Sequence, residues 1–494
     1  MSEKKPSTKH EGGDAPRKRI ARRGFWQKLG RTIGVPALAL LSALIISAVF
    51  IVASDMVVWR TFGGYLFGLR TIYAAELDGQ QLSSDVRYQF TRQGHDLSAE
   101  AQVTVDESGG EWTVVDGETR YSIRAEAQTL DVYGAPSFWR GLGRAGESVG
   151  TAYLALLQGS FGNPIEVFQG VGTAIRTGNA EPLKDALDPI SESLTTAAPY
   201  IFAGLAVALG FRCGLFNIGA EGQIFVGALA SAYVGYSLIG LPVYIHLPLA
   251  LLAGAAAGAV WAGIPGLLKA WRGAHEVINT IMMNYIAFRV ADYLLTGPMM
   301  RPGYTPVSPM IEESAKLTRL FPPLRFHIGF FLALIVAALV YWFLWKTTLG
   351  FEIRTVGANP RAARYAGISV TRNTVLAMAL SGALAGLAGT NEVLGVNYYM
   401  AQAFSSGYGF DSIALALLGR SHPLGVVLAS LLWGFLRSGA IKMQSLASIP
   451  IDIVFVIQAL VIAFVAAPEM IRWLYRIPVP KETEEAVFTR GWGG

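Results

Sequence analysis

Long apolar segments dominate this chain and place the strongest limit on its fold. Only 15% of its 494 residues are charged, whereas soluble proteins carry about a quarter. A helix of about 20 apolar residues crosses a bilayer. The sequence therefore predicts an all-α polytopic membrane protein with about ten transmembrane helices. The predicted spans are 35–58, 194–210, 219–240, 245–268, 277–297, 326–346, 370–392, 406–420, 424–440 and 450–468.

Basic residues suggest how the spans are oriented. Residues 1–33 form a basic tail before the first transmembrane helix, placed at 34–59. Lysine and arginine concentrate in cytoplasmic loops, so this tail and the C-terminal tail at 471–494 are both predicted to be cytoplasmic. The transmembrane core is placed at 194–470. Setting the topology is a simpler role for the tail than binding nucleic acid, so membrane lipid is an expected contact and nucleic acid is not.

Two polar stretches are predicted to lie outside the bilayer. Residues 75–150 are acidic, and they alternate apolar and polar positions around 103–105 and 112–115, next to glycine-containing turns. That pattern is typical of short antiparallel strands. We therefore expect a small β-rich extracytoplasmic insertion at 75–150. The proline-rich stretch 298–325 is expected to form an ordered outer loop.

Several polar side chains fall within predicted spans, where they are costly unless they face water or a partner. Asn217, Glu221 and Gln223 lie near the start of the third span. They are candidates for the substrate pathway, although a purely structural role in securing a helix break is at least as well supported. Asn284 is a further pathway candidate, with hydrogen bonding between helices as its alternative.

Asn391 and Glu392 complete the predicted set of pathway residues, at the outer end of the seventh span. Tyr398 and Tyr399 follow them and are more typical of an interfacial aromatic belt. Asp411 is expected to start a later helix, because a carboxylate in the first turn is favoured by the helix dipole.

The segment 347–369 interrupts the apolar spans with a polar, arginine-rich sequence. Pro360 suits the first turn of a helix, and Gly367 suits the position just after its end. We expect a short amphipathic helix at the cytoplasmic membrane surface, suited to docking on a soluble partner.

Catalytic signatures are missing from the sequence. It contains no GxSxG motif and no GxxxxGK[ST] phosphate-binding loop, and its single cysteine and six histidines show no zinc-site spacing. An enzyme is therefore not expected, and neither is a metal or cofactor. Energy for transport would have to come from another subunit or from an ion gradient.

Three motifs resemble a known family: GLFNIGAEGQ (214–223), HEVINTIMMNYIA (275–287) and GFEIRTVGANPRAARYAGI (350–368). They are similar to the permease subunit of bacterial ABC importers. Within these, they match the branched-chain amino-acid/simple-sugar permease superfamily and its nucleoside-uptake branch. The resemblance covers about 148–470. The family lacks an insertion like that at 75–150, so the resemblance does not explain it.

The resemblance implies a nucleoside permease in the bacterial inner membrane, with separate subunits around it. These are an ATP-binding subunit, a second permease or a copy of this chain, and an extracytoplasmic solute-binding protein. The cytoplasmic segment would be the coupling helix. Residues implied to contact the ATPase are Gly357, Asn359, Ala362, Ala363 and Gly367. Arg361 and Arg364 would meet acidic residues there or anchor on lipid headgroups.

Two other functions remain open on the sequence. A simple-sugar permease would use the same architecture. A gradient-driven secondary transporter would need a buried ionisable relay, for which Glu221 and Glu392 are the only candidates. The identity of the solute and the pairing of the permease are not determined by the sequence.

Overall fold

The computed structural model describes residues 38–55, 58, 88–89, 102–106, 111–116, 119–124, 138–303, 305–402, 404–447, 449–450 and 452–476. The predicted basic tail at 1–33 lies outside the described residues, as does the C-terminal tail beyond 476.

Helices make up most of the described chain. In chain order they are α1 (Leu38–Ser54), α2 (Phe138–Phe161), α3 (Pro164–Thr177), α4 (Glu181–Arg212), α5 (Ala220–Ser237), α6 (Val243–Arg272), α7 (Glu276–Thr296), α8 (Gly329–Lys346), α9 (Thr348–Ala358), α10 (Pro360–Tyr365), α11 (Val370–Glu392), α12 (Tyr408–Leu418), α13 (Pro423–Ala447), α14 (Asp452–Ala466) and α15 (Pro468–Leu474). A short π-helix, Val393–Asn397, continues α11.

The prediction of about ten transmembrane helices is wrong by the criterion of length and apolarity. Among the described residues, five helices are long and apolar enough to cross a membrane: Glu181–Arg212, Val243–Arg272, Gly329–Lys346, Val370–Asn397 and Pro423–Leu446. Helices α1, α12 and α14 are apolar but shorter. Helices α5 and α7 are long enough but carry several polar residues, including Glu221 and Asn284.

Strands occupy part of the stretch that was predicted to be β-rich. They are β1 (Tyr88–Gln89), β2 (Gln102–Asp106), β3 (Glu111–Asp116) and β4 (Thr119–Arg124), paired antiparallel in that order. In register, Val103 faces Val114 and Val114 faces Tyr121. The predicted limit at 150 is wrong, because 138–150 belong to α2, where buried Ala145 and Ala152 recur two helical turns apart.

The described residues fall into two compact units. The first comprises 38–45, 156–442 and 454–476, and it holds most of the helices. The second comprises the described residues within 46–155 and 443–453, and it includes the sheet. All candidate functional residues lie in the first unit.

Small residues let three helices of the first unit approach at backbone distance. On α6, a Cβ at Gly258 would overlap the carbonyl oxygen of Gly382 on α11. A Cβ at Gly386 on α11 would likewise overlap the carbonyl oxygen of Gly254, and Gly227 on α5 packs against Gly386. In lipid, helices associate largely through such close van der Waals packing. This contact therefore holds the centre of the bundle together.

The described residues of 298–328 connect α7 to α8. Their backbone amides bond to the chain around the π-helix: Ile311 N–H donates to Tyr398 O at 2.9 Å, and Leu317 N–H donates to Leu394 O at 2.9 Å. Arg319 also donates to the Tyr398 hydroxyl at 2.8 Å. We call this side of the bundle the loop end, and the opposite side, where Arg212 and Arg354 lie, the basic end.

Replacing Gly258 with valine should disrupt the contact between α6 and α11. The added side chain meets backbone, which has little freedom to move, so we expect a loss of about 1–3 kcal/mol of stability or more. The thermal unfolding midpoint in detergent measures it. Gly263→Val on the same helix is the matched control, because no atom lies within 4 Å of its Cβ position. An equal loss in both variants would contradict the role of Gly258.

Candidate functional site

Asn217 lies at the helix break before α5 and is fully buried. It exchanges a pair of amide hydrogen bonds with Gln223, at 3.0 and 3.1 Å, and donates to Ser381 Oγ at 2.9 Å. Its oxygen also accepts from Gly219 N–H at 3.0 Å. Ser381 in turn donates to Ala206 O at 2.7 Å. This network joins the break to α4 and α11, and it fits the structural alternative raised by the sequence.

Glu221 sits in the first turn of α5 and is 3% exposed. One carboxylate oxygen accepts from the Ser405 hydroxyl and the other from Gly409 N–H in the first turn of α12. A Cβ on Gly409 would overlap the Glu221 backbone, so glycine is required for this approach. The carboxylate thus lies between two helix N-termini, whose dipoles both favour negative charge.

Asn284 connects α7 to the same break. Its oxygen accepts from Gly222 N–H at 2.8 Å, and its nitrogen donates to Ile218 O at 3.0 Å. The four pathway candidates Asn217, Glu221, Gln223 and Asn284 are therefore brought together by the fold. Their polar groups are engaged within the chain, which favours a scaffolding role for all four.

Asn391 and Glu392 lie together at the loop end, and among the described residues they share no hydrogen bond with that network. Asn391 is 1% exposed, and neither atom of its amide has a hydrogen-bond partner among the described residues. Glu392 is 8% exposed. It accepts a hydrogen bond from Asn397 Nδ2 at 3.3 Å, and the Tyr408 hydroxyl lies beside it. The π-helix begins directly after it, and π-helical turns are frequent at functional sites.

His327 joins this second group, although the sequence analysis did not identify it. Its ring packs against Gly329 and Gly395, and a Cβ on Gly329 would also overlap Asn391 Oδ1. Its Nδ1 accepts from Gly329 N–H at 3.2 Å, and its buried Nε2 has no partner among the described residues. Burial, together with the charges of Arg319 and Arg325, lowers the pKa of His327 to about 4, so the ring is neutral at pH 7.

Asp411 does more than start a helix. It lies in the first turn of α12, as expected. It also accepts from the Tyr200 hydroxyl at 2.9 Å and from Trp433 Nε1 at 3.3 Å, and it pairs with Arg437 at 3.7 Å. The signal available in the sequence was Arg437, a charge inside a predicted span, because such residues usually have a partner in the bundle.

The predicted docking segment forms two helices, α9 and α10, that meet at Asn359. The Asn359 side chain accepts from Arg361 N–H at 2.9 Å and Ala362 N–H at 3.1 Å, which caps α10. Gly367 ends the segment with a φ of 78°. Most of α10 is exposed, and Tyr365 is 95% exposed.

Two residues of the predicted docking set face their own bundle instead. Ala363 is fully buried, and Gly357 packs so closely on Arg212 that a Cβ would overlap its carbonyl oxygen. Both residues can support the segment. Ala363 presents no surface for a partner, and Gly357 is only partly exposed. The exposed members are Asn359, Arg361, Ala362, Arg364 and Gly367. Tyr365, which the sequence analysis did not identify, is 95% exposed and is the most exposed large side chain of the segment.

The segment is connected to the bundle through the end of α4. Arg212 donates to Ser421 O at 2.8 Å and to Arg420 O at 3.2 Å in the turn between α12 and α13. Its guanidinium lies 5.2 Å from the centre of the Trp345 ring, and Arg354 of α9 lies 5.7 Å from the same ring. Helix α9 therefore contacts α4 and α8 directly, and Arg212 links it to the α12–α13 turn.

Metal binding has no support in the part of the chain that the structure describes, because no group of three or more His, Cys, Asp or Glu residues is placed to hold an ion.

Comparison with known proteins adds family evidence. The family model described as "Branched-chain amino acid transport system / permease component" matches residues 190–466. The guanosine ABC transporter permease protein NupP of Bacillus subtilis is 42% identical over 336 residues, covering 67% of this chain and 89% of that protein. No solved structure matches the chain.

Two further relatives are similar over a shorter part of the chain. The glucose ABC transporter permease protein TsgB13 of Haloferax volcanii is 38% identical, covering 59% of this chain and 79% of that protein. The nucleoside ABC transporter permease protein NupB of Lactococcus lactis is 36% identical, covering 59% of this chain and 82% of that protein. The resemblance drawn from the three sequence motifs is confirmed.

Replacing Asn217 with alanine should leave the Gln223 amide, Ser381 Oγ and Gly219 N–H short of partners. Loss of partners for buried polar groups costs about 1–3 kcal/mol. Denaturant unfolding in detergent followed by circular dichroism measures the change. Gln169→Ala, at an exposed position on α3, should change stability by less than about 0.5 kcal/mol. If the two variants unfold alike, the Asn217 network is not part of the scaffold.

Proposed function

Because this chain belongs to the permease component family of branched-chain amino acid transport systems, we propose that it carries nucleosides as one subunit of an ATP-driven importer. The observation that carries the choice of solute is the 42% identity to a guanosine permease over 89% of that protein. The loop end supports it, since Asn391 and Tyr408 offer amide and hydroxyl groups suited to a neutral polar solute.

We place the protein in the bacterial inner membrane with both termini in the cytoplasm. In this orientation the basic end is cytoplasmic, in agreement with the positive-inside rule. The loop end then faces an extracytoplasmic solute-binding protein. A second permease subunit, either a homologue or another copy of this chain, completes the translocation path.

ATP hydrolysis would belong to a separate ATP-binding subunit docked at the basic end. The exposed face of α10 supports this assignment, because Asn359 caps a short helix that leaves Ala362 and Tyr365 accessible. The close packing of Gly357 on Arg212 would then transmit movement to α4.

The six predicted pathway residues would divide into two roles. Asn217, Glu221, Gln223 and Asn284 hold the helix break that shapes the path. Asn391 and Glu392 contact the solute, because Asn391 has no described hydrogen-bond partner and both lie at the end where the solute would enter.

A simple-sugar importer is the second candidate, favoured by the 38% identity to a glucose permease. Guanosine and glucose share vicinal hydroxyl groups on a sugar ring, so one site chemistry could serve either solute. A gradient-driven transporter is less well supported. Its relay would need Glu221 to be available, and that carboxylate is held by Ser405 and Gly409.

Transport by the complete assembly tests this function. The purified chain is reconstituted into proteoliposomes with its ATP-binding subunit, second permease and binding protein, and uptake of radiolabelled guanosine is measured. We expect uptake to require ATP on the ATPase side and to continue in the presence of a proton ionophore. Uptake by this chain alone, or loss of uptake with the ionophore, would contradict the proposal.

Acidic substitutions on the exposed face of α10 should detach the ATPase. Ala362→Asp and Tyr365→Asp each place a charge where an interface would bury it, so we expect binding to weaken by about tenfold or more. Co-purification through a tag on this chain measures it. Ala180→Asp, at an exposed position just before α4, is the control and should leave ATPase binding unchanged. Undiminished binding by both α10 variants would exclude this docking surface.

A further inference from the structure

Polar side chains from four parts of the first unit converge at the loop end. Glu192 comes from α4, Arg325 from the 298–328 connection, Glu392 from the end of α11 and Tyr408 from the start of α12. Arg325 pairs with Glu192 at 3.0 Å. Glu392 lies beside the Tyr408 hydroxyl and close enough to Arg325 and Glu192 to interact with the charges of both. We call these four residues the loop-end cluster.

Exposure decreases through the cluster. The side chain of Arg325 is 48% exposed and that of Glu192 is 27% exposed, whereas Glu392 is 8% and Tyr408 is 7% exposed. The cluster therefore leads from solvent toward the interior of the bundle. A solute entering from this end would meet the ion pair first and Glu392 afterwards.

Unpartnered polar atoms mark the inner side of the cluster. Both amide atoms of Asn391, the residue before Glu392, are buried without a hydrogen-bond partner among the described residues. His327 Nε2 is likewise buried without one among these residues. His327 lies within range of the Arg325 charge. Leaving such groups unsatisfied costs about 1–3 kcal/mol each. These atoms therefore point to a polar molecule that binds at this junction during transport.

The charges of the cluster indicate the chemistry of that molecule. Arg325 and Glu192 pair with each other, so the Glu392 carboxyl group has no ion pair of its own among the described residues. A carboxylate has two acceptor oxygens, so it can accept from two neighbouring hydroxyl groups at once. The cluster offers an anionic solute no cation that is not already paired.

We propose, building on the nucleoside transport proposed above, that Glu392 binds the vicinal hydroxyls of the solute's sugar as it enters the bundle. Tyr408 orients the carboxylate through its hydroxyl, and its ring is held by Tyr200, 4.9 Å away in an edge-to-face arrangement. Asn391 and His327 supply further donors and an acceptor on the inner side. Glu392 is thus a specificity residue for ribose over 2′-deoxyribose.

The test compares two solutes in the complete importer. Uptake of guanosine and of 2′-deoxyguanosine is measured at subsaturating concentration for wild type and for Glu392→Gln. The binding protein is the same in both preparations, so its own preference cancels when the two ratios are compared. Loss of a charge-assisted hydrogen bond to one hydroxyl is expected to lower the guanosine to deoxyguanosine ratio by about tenfold.

Glu221→Gln is the matched control, because it neutralises a buried carboxylate bound to Ser405 and Gly409 instead. It should affect both solutes equally and leave their ratio unchanged. An unchanged ratio in Glu392→Gln, or an equal shift in Glu221→Gln, would overturn the proposal.

A second variant keeps the test decisive if Glu392→Gln does not assemble. Tyr408→Phe retains the ring next to Tyr200 but removes the hydroxyl that orients Glu392. It should lower the ratio by about threefold, as expected for one weakened hydrogen bond, and an unchanged ratio would count against the role of Glu392. Failure of the nucleoside proposal would look different, since wild type would then take up neither solute with ATP.

Discussion

The close approach of α5, α6 and α11 is the contact on which the rest of the bundle depends. Apolar side chains gain little from one another inside a lipid bilayer, because the surrounding lipid is equally apolar. What remains is contact between backbones, and it requires residues without a side chain at the crossing points. Gly258 and Gly386 provide it, since a Cβ at either would overlap a backbone oxygen of the facing helix.

This packing explains why polar groups can be buried nearby at little cost. With α5 fixed against α11, the helix break before α5 reaches Ser381 and Ala206 through Asn217. Glu221 is carried to the N-terminus of α12 in the same way. Each buried group thereby acquires the partners that water would otherwise supply. The groups left without such partners at the loop end, above all Asn391, stand out against this background.

The sequence predicted where the helices lie better than it predicted how many of them are long and apolar enough to span a membrane. The predicted segment 277–297, for example, coincides with α7, but Asn284 and other polar residues there are part of the helix packing rather than interruptions of it. A criterion based on apolarity therefore counts α6 as a membrane span but not α7, although both helices are long. Helix α2 was missed because the strand pattern before it was extended too far.

The candidate site was predictable residue by residue but not as an arrangement. Asn217 and Gln223 are close in sequence, and their pairing follows from the turn between them. Glu221 instead bonds to Gly409, 188 positions away, and nothing in either local pattern indicates that contact. The same is true of His327, whose place beside Asn391 depends on Gly329 leaving room for both.

The docking segment shows why exposed and buried residues must be considered together. A six-residue helix such as α10 is too short to be stable by itself, because nucleating a helix is costly. It persists because Asn359 caps one end and Ala363 is buried in the bundle. Ala363 and the half-buried Gly357 are therefore the residues that hold the segment against the bundle, as the proposed coupling to α4 requires. In the proposed coupling, a docking surface without that support would bend under load, and movement at Ala362 and Tyr365 would not be transmitted to α4.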